Sequence, residues 1–260
     1  MKRTILTAIV MFAATLASNA QMVKSGLLNG YNPGDILEKV TYTEKEAPVA
    51  VDTWCGAHTS KPIEGATSPK VGEALIYEGY GEKGPSIVLG SSFEGEVKGR
   101  RFSVYSLTGG KEYRDGVLYL SFLVDFSRIG SKKMSQLVGF CSSYNGGGTR
   151  GSVHVKRDEN IKNNFYWGVR LSEEVAECPQ VFEMNRTYLV VLKLDYTDQS
   201  ASVFVDPDLT SAEPEPLVKA KAVEKELKHA IRGINLRDGN SYDGNIGNFR
   251  VTRSWEALAE

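Results

Sequence analysis

Thr187-Tyr188-Leu189-Val190-Val191-Leu192-Lys193-Leu194-Asp195-Tyr196 leads through a short turn to Ala201-Ser202-Val203-Phe204-Val205-Asp206-Pro207. Later comes Leu236-Arg237-Asp238-Gly239-Asn240-Ser241-Tyr242-Asp243-Gly244-Asn245-Ile246-Gly247-Asn248-Phe249-Arg250-Val251-Thr252-Arg253-Ser254-Trp255. The first two runs are rich in β-branched and aromatic residues and are separated by Thr197-Asp198-Gln199, so they predict a β-hairpin. Phe249-Arg250-Val251 predicts a further strand, entered through glycine-rich turns.

Working outward, residues 74–77, 86–89, 101–105, 117–126, 136–141, 152–156 and 164–171 are short apolar or alternating runs bounded by Gly, Pro, Asn or Asp. With the C-terminal strands they predict an all-β chain whose strands bury their inner faces by stacking as two sheets about 10 Å apart. Residues 164–171 show the alternation: Phe165, Trp167, Val169 and Leu171 share one face, which places Trp167 in the core. One passage has a different period. In residues 219–231, Val223, Leu227 and Ile231 recur every fourth position and Gly233 follows as a stop, which predicts a short surface helix. Pro214 and Pro216 force the residues before them to be extended, so 213–216 is a loop inside one domain.

Four motifs carry a resemblance. Ala74-Leu75-Ile76-Tyr77-Glu78-Gly79-Tyr80, Gly116-Val117-Leu118-Tyr119-Leu120-Ser121-Phe122-Leu123, the hairpin of 188–207 ending in Asp-Pro, and Ile246-Gly247-Asn248-Phe249-Arg250-Val251 with Trp255 occur in this order. Together they resemble a lamin-G-like jelly roll of the concanavalin A-like lectin and glucanase superfamily. The resemblance implies a two-sheet jelly-roll β-sandwich over residues 35–260, preceded by an extension at 21–34. It departs at Gly247 and Asn248, where relatives often carry an acid.

The N-terminus predicts export. Lys2 and Arg3 precede an apolar run at 5–16, and Ser18-Asn19-Ala20 offers small residues to a signal peptidase, so cleavage is expected after Ala20. The run is shorter than the roughly 20 residues that span a bilayer, and no later stretch is apolar enough for a transmembrane segment. The expected location is periplasmic or extracellular. Without Lys2 and Arg3, the 31 basic residues become 29 against 32 acidic ones, a formal charge of −3. That balance recommends no nucleic-acid partner. Cys55, Cys141 and Cys178 leave three disulfide pairings open, and none lies in a Cys-x-x-Cys arrangement. Cys141, behind Leu137-Val138-Gly139-Phe140, reads as a buried inert thiol rather than a nucleophile.

The Glu-x-Asp-x-x-Glu strand that supplies nucleophile and general acid in glucanases of the superfamily is absent, as are a Gly-x-Ser-x-Gly elbow and a His-Glu-x-x-His helix. The chain is therefore read as leaning away from an enzyme. Asp238, Asn240 and Asp243 gather hard oxygens at one turn, the donor type that calcium takes, although Tyr242 breaks the EF-hand register and Asp-Gly and Gly-Asn turns explain the same residues. Tyr144, Asn145 and Arg150, on the glycine-rich loop 142–150, combine an aromatic plane, an amide and a guanidinium suited to a sugar; Trp54 is a weaker candidate for the opposite rim. The expected function is non-catalytic binding of a glycan or surface polysaccharide. The alternatives are a glycoside hydrolase with a non-standard acid pair and a structural or adhesive envelope protein that binds another protein.

Overall fold

The computed structural model describes residues 22–41, 52–56, 63–95, 97–107, 112–143, 148–171, 173, 175–222, 227 and 229–260. The expected leader and its expected cleavage point lie outside them. The strands are β1 (Met22–Lys24), β2 (Val40–Thr41), β3 (Trp54–Gly56), β4 (Lys70–Gly72), β5 (Ser86–Leu89), β6 (Arg100–Ser106), β7 (Val117–Ile129) and β8 (Ser135–Cys141). They continue as β9 (Thr149–Arg157), β10 (Asn164–Arg170), β11 (Val175–Glu183), β12 (Thr187–Asp195), β13 (Ser200–Val205), β14 (Val218–Lys221), β15 (Gly233–Gly239) and β16 (Tyr242–Thr252). Two eight-stranded sheets result. The first runs β14-β13-β12-β7-β16-β5-β4 with β1 beside β16, and the second runs β11-β10-β9-β8-β15-β6-β3-β2. Pairing is antiparallel except between β2 and β3. The layout is the all-β, two-sheet sandwich that the strand pattern predicted.

The expected hairpin is present as β12 and β13, in the register Val190 to Val205 through Asp195 to Ser200. Its turn is stabilised by Asp195, whose Oδ1 accepts from the amides of Thr197 and Asp198, both at 2.9 Å. Between the sheets lie Phe122, Val124 and Phe126 of β7, Val190 and Leu192 of β12, and Phe249 of β16. They face Phe140 of β8, Val153 and Val155 of β9, Phe165, Trp167 and Val169 of β10, and Leu236 of β15. Trp167 is fully buried among Phe126, Phe165 and Tyr188.

The first sheet is covered on both faces. Its outer positions Tyr119, Leu123, Leu189, Val191 and Phe204 form a second apolar cluster with Tyr80, Leu209, Trp255 and Leu258. Burial on both faces explains why residues 117–126 read as an almost unbroken apolar run instead of alternating. Beneath the cover, Arg250 pairs with Glu82 and donates to the Leu258 carbonyl, while the Tyr80 hydroxyl meets Ser121 and the Asn248 carbonyl. These bonds satisfy buried polar groups that would otherwise destabilise the packed face.

Three expectations are corrected. Residues 218–221 form strand β14 on β13, and the one helix among the described residues is the short 3-10 turn Glu256–Leu258. Pro214 and Pro216 deliver an extended chain to the exposed β13 edge, where ladder bonds outweigh the helix propensity of Lys219 to Lys221. Of the expected surface helix, residues 223–226 and 228 lie outside the described residues. Residues 74–77 are loop, with Leu75 and Tyr77 packed under the outer cover of the first sheet. The segment expected as an extension instead joins the sandwich: β1 pairs with β16, and Leu27 and Leu28 are core residues.

Candidate functional site

The outer face of the second sheet is polar over β9, β10 and much of β15, with a small apolar patch of Phe102, Val104 and Cys141 beside it. On β9, Val153 and Val155 point inward, so Ser152, His154 and Lys156 point outward, as alternate residues of a strand must; the ladder with β8 shifts register at Gly151, before which Arg150 pairs with Phe140. The registers continue this face across the sheet. Ser152 lies between Arg170 of β10 and Gly139 of β8, and Gly139 lies opposite Asn235 of β15. His154 lies between Gly168 and Gln136. Arg237, two residues from Asn235, lies opposite Phe102 of β6.

Here the surface opens into a cleft of about 310 Å³ lined by Gln136, Thr149, Arg150, Ser152, Arg170 and Leu171. The floor is held by a chain of hydrogen bonds: Gln136 Nε2 donates to Asn235 Oδ1 at 3.1 Å, and Asn235 Nδ2 to Thr149 Oγ1 at 2.9 Å. The Tyr242 hydroxyl donates to the Gln136 carbonyl at 2.6 Å and anchors this strand from within the core. Gly139 keeps the floor low, since a Cβ there would come within 2.6 Å of Ser152 Cβ.

His154 stands beside the lining residues, 4% exposed, with Nε2 at 3.0 Å from Ser152 Oγ and Nδ1 buried without a partner. Burial, then the charges of Arg170 and Arg237, push its pKa down to about 3, so the imidazole is neutral at physiological pH. When the Ser152 hydroxyl donates to Nε2, Nδ1 carries the proton and presents a donor. Arg150 donates to the Thr149 carbonyl at 3.0 Å. No carboxylate among the described residues pairs with Arg150 or with the half-buried Arg237, whose charged neighbour is Arg100. Further along the face, Glu177 pairs with Lys156, and Asp158 accepts from the Tyr166 hydroxyl.

Of the residues expected from the sequence, Arg150 lines the cleft. Tyr144 and Asn145 lie outside the described residues. Trp54 is corrected from rim to core: it is fully buried against Tyr105 and Phe249, and its Nε1 donates to the Leu27 carbonyl at 3.0 Å. The trio Asp238, Asn240 and Asp243 does not fit calcium. Asp238 is buried and accepts from the amides of Gly90, Ser92 and Gly239, Asn240 Oδ1 accepts from the Gly99 amide, and Asp243 chelates Arg128. Hard oxygens already committed to donors inside the protein are not available to a cation. No group of three or more metal-ligating side chains occurs among the described residues.

Sequence reasoning missed Gln136, Ser152, His154, Arg170, Asn235 and Arg237. A signal was present in residues 150–156, where Arg, Ser, His and Lys alternate with Gly and Val, and again in Asn235 and Arg237 between Ile234, Leu236 and Asp238.

No protein-family profile matches the chain, and no curated protein matches it. Among solved structures the chain is similar to a heptameric SAP-like pentraxin from Limulus polyphemus, at 11% identity over 67% of this chain and 79% of that one, with a TM-score of 0.43. It is similar to the endo-β-1,4-glucuronan lyase of Trichoderma reesei at 9% identity, over 80% and 98% of the two chains, with a TM-score of 0.46. An arabinofuranosidase complexed with arabinofuranosyl-α-1,2-xylobiose overlaps at 9% identity, over 75% of this chain and 44% of that one, with a TM-score of 0.47. Overlaps at this identity and score carry neither ligand nor activity to this chain.

Proposed function

We propose that the protein binds a glycan, a surface or environmental polysaccharide, in the cleft on the outer face of its second sheet, and does not cleave it. The observation that carries this reading is the lining: an amide, two hydroxyls and two guanidinium groups converge on one cleft, with no carboxylate among the described lining residues. Sugar hydroxyls are matched by such convergent donors and acceptors. Two-carboxylate hydrolysis would require a pair of acids about 5 to 10 Å apart facing the same space. Tyr144 and Asn145, which precede Arg150 in the sequence, are the further residues this reading assigns to the ligand, as an aromatic and an amide. Export through the leader at 1–20 suits this role, and no helix among the described residues is long and apolar enough to cross a membrane.

The test is binding of the mature chain, beginning at Gln21, to a polysaccharide array. Binding is expected to at least one polymer and to weaken about tenfold or more in Arg150→Ala and Tyr144→Ala, the scale for losing one charged or stacked contact. Binding unchanged in both variants would overturn the assignment of the cleft. Release of shortened oligosaccharides by the purified protein would overturn the non-catalytic reading.

A further inference from the structure

We propose that Asn185 is an acceptor site for N-linked glycosylation, taking an oligosaccharide from a lipid-pyrophosphate donor as the chain is exported. Asn185-Arg186-Thr187 is the only place in the sequence where an Asn is followed, across one residue other than Pro, by Ser or Thr. The fold sets this triplet in the tight turn between β11 and β12, with Asn185 exposed at its tip. The site stands apart from the cleft, and it rests on the expected export rather than on the glycan-binding reading. Glu183 of β11 lies opposite Asn164 of β10, and Val175 lies opposite Arg170. Asn185 is therefore at the end of β10 away from the cleft residue Arg170, about 20 Å along the strand.

The turn is held by bonds that leave the acceptor amide out. Asn185 has φ +60°, a left-handed conformation in which Asn is favoured, and its backbone amide donates to the Phe126 carbonyl at 2.8 Å. The Tyr188 hydroxyl donates to the Glu183 carbonyl at 2.8 Å and accepts from the Glu183 amide at 3.1 Å. Arg186 pairs with Asp206, and Thr187 begins the β12 ladder opposite Asp125 of β7. Among the described residues the Asn185 carboxamide has no hydrogen-bond partner. Turn conformation by itself does not call for Thr187: Asn163 is also left-handed, at φ +71°, and is followed by Asn164 and Phe165. Transfer forms a bond from Asn185 Nδ2 to the anomeric carbon of the sugar and breaks the bond from that carbon to the donor's pyrophosphate oxygen. The pyrophosphate leaves with the bonding pair, and one Nδ2 proton passes to the transferase. The transferase must hold the backbone of the triplet, which the ladder and turn bonds occupy in the folded chain, so transfer precedes closure of the turn. Exposure of the tip then lets the sandwich close with the sugar in place.

The experiment secretes the chain, behind the host's own leader, from a cell culture whose export pathway carries such a transferase. Peptide mass spectrometry is expected to find a single sugar chain, on Asn185, which peptide-N-glycosidase removes while converting the Asn185 carboxamide to a carboxylic acid. Asn185→Gln and Thr187→Val are each expected to abolish the modification, and Thr187→Ser to retain it. Asn185→Gly, which suits the left-handed turn, is expected to lose the sugar without straining the backbone. Thermal melting of each secreted variant confirms that it is folded. Sugar-free protein that has already folded is expected to stay unmodified when offered to the same membranes and donor. Folded, secreted parent protein with Asn185 wholly unmodified overturns the inference, as does a sugar chain that persists in Asn185→Gln. Either result leaves the glycan-binding reading of the cleft standing, since that reading does not use Asn185.

Discussion

His154 shows how one side chain links this site to stability. Its neighbours on the sheet face are Ser152, Gly168, Gln136, Arg170 and, from β15, Arg237. Burial and two positive charges hold its pKa near 3, below the 6.5 of an unfolded histidine. The unfolded chain therefore takes up a proton that the folded chain refuses, and between about pH 6.5 and pH 3 each fall in pH favours unfolding. From pH 7 to pH 5 this one group is expected to remove about 2 kcal/mol of stability. Urea titrations at the two pH values check this: His154→Gln should lose less stability on acidification than the parent by about that amount. An identical loss in both proteins would show that the imidazole is not held neutral. Arg150 makes a different point about residues. Its chemistry was legible from a glycine-rich neighbourhood, but its place on the cleft beside Thr149 depends on the register shift at Gly151, which no sequence period shows. Trp54 looked alike in sequence and lies in the core, because an aromatic ring near a Cys and a His carries no mark of which sheet face it occupies.

At the level of the element, β16 bears the closest constraints. Its ladder with β7 shifts register between Asp243 and Gly244 and again between Gly247 and Arg250. At the first shift Gly244 has φ +143°, and an added Cβ would lie 2.0 Å from the Asp125 carbonyl oxygen. Gly244→Ala is expected to destabilise by about 2–4 kcal/mol in denaturant unfolding. Gly79→Ala, at φ +82° with open space around it, should cost about 1 kcal/mol from backbone strain alone. Equal effects at the two sites would show that the bulge tolerates a side chain. Gly247 meets backbone as well: a Cβ there would be 2.9 Å from the Pro85 carbonyl oxygen, so the close approach of β5 leaves no room for a side chain. Elements with a strict period were read correctly, as in residues 164–171 and the 187–205 hairpin. The 218–221 strand was not, since Ala and Lys favour a helix locally and only the available β13 edge reverses that preference.

Across the whole molecule, the three cysteines report on how far the sandwich unfolds as one unit. Cys55 on β3, Cys141 on β8 and Cys178 on β11 stand as buried thiols, 2%, 0% and 3% exposed. Burial pushes the Cys141 thiol up to about 12 and raises that of Cys178. A disulfide-exchange reagent at pH 8 is expected to leave all three unmodified in the native protein and to titrate three thiols after denaturation. Rapid modification of one thiol under native conditions would place its strand outside the cooperative core. The same two-sheet arrangement also decides where a ligand goes. The first sheet is packed on both faces by described residues, and the cleft lies on the second. Taken alone, the amino-acid sequence determined an all-β sandwich, its hairpin and the core place of Trp167, because periodicity and turn chemistry act over a few residues. Only the tertiary structure decided that Arg150, Ser152, Arg170, Gln136 and Asn235 meet at one site and that Asp238 holds the turn at Gly90 and Ser92. Those residues come from strands up to 99 positions apart, as Gln136 and Asn235 are. Their meeting depends on strand order and register, which no local pattern encodes.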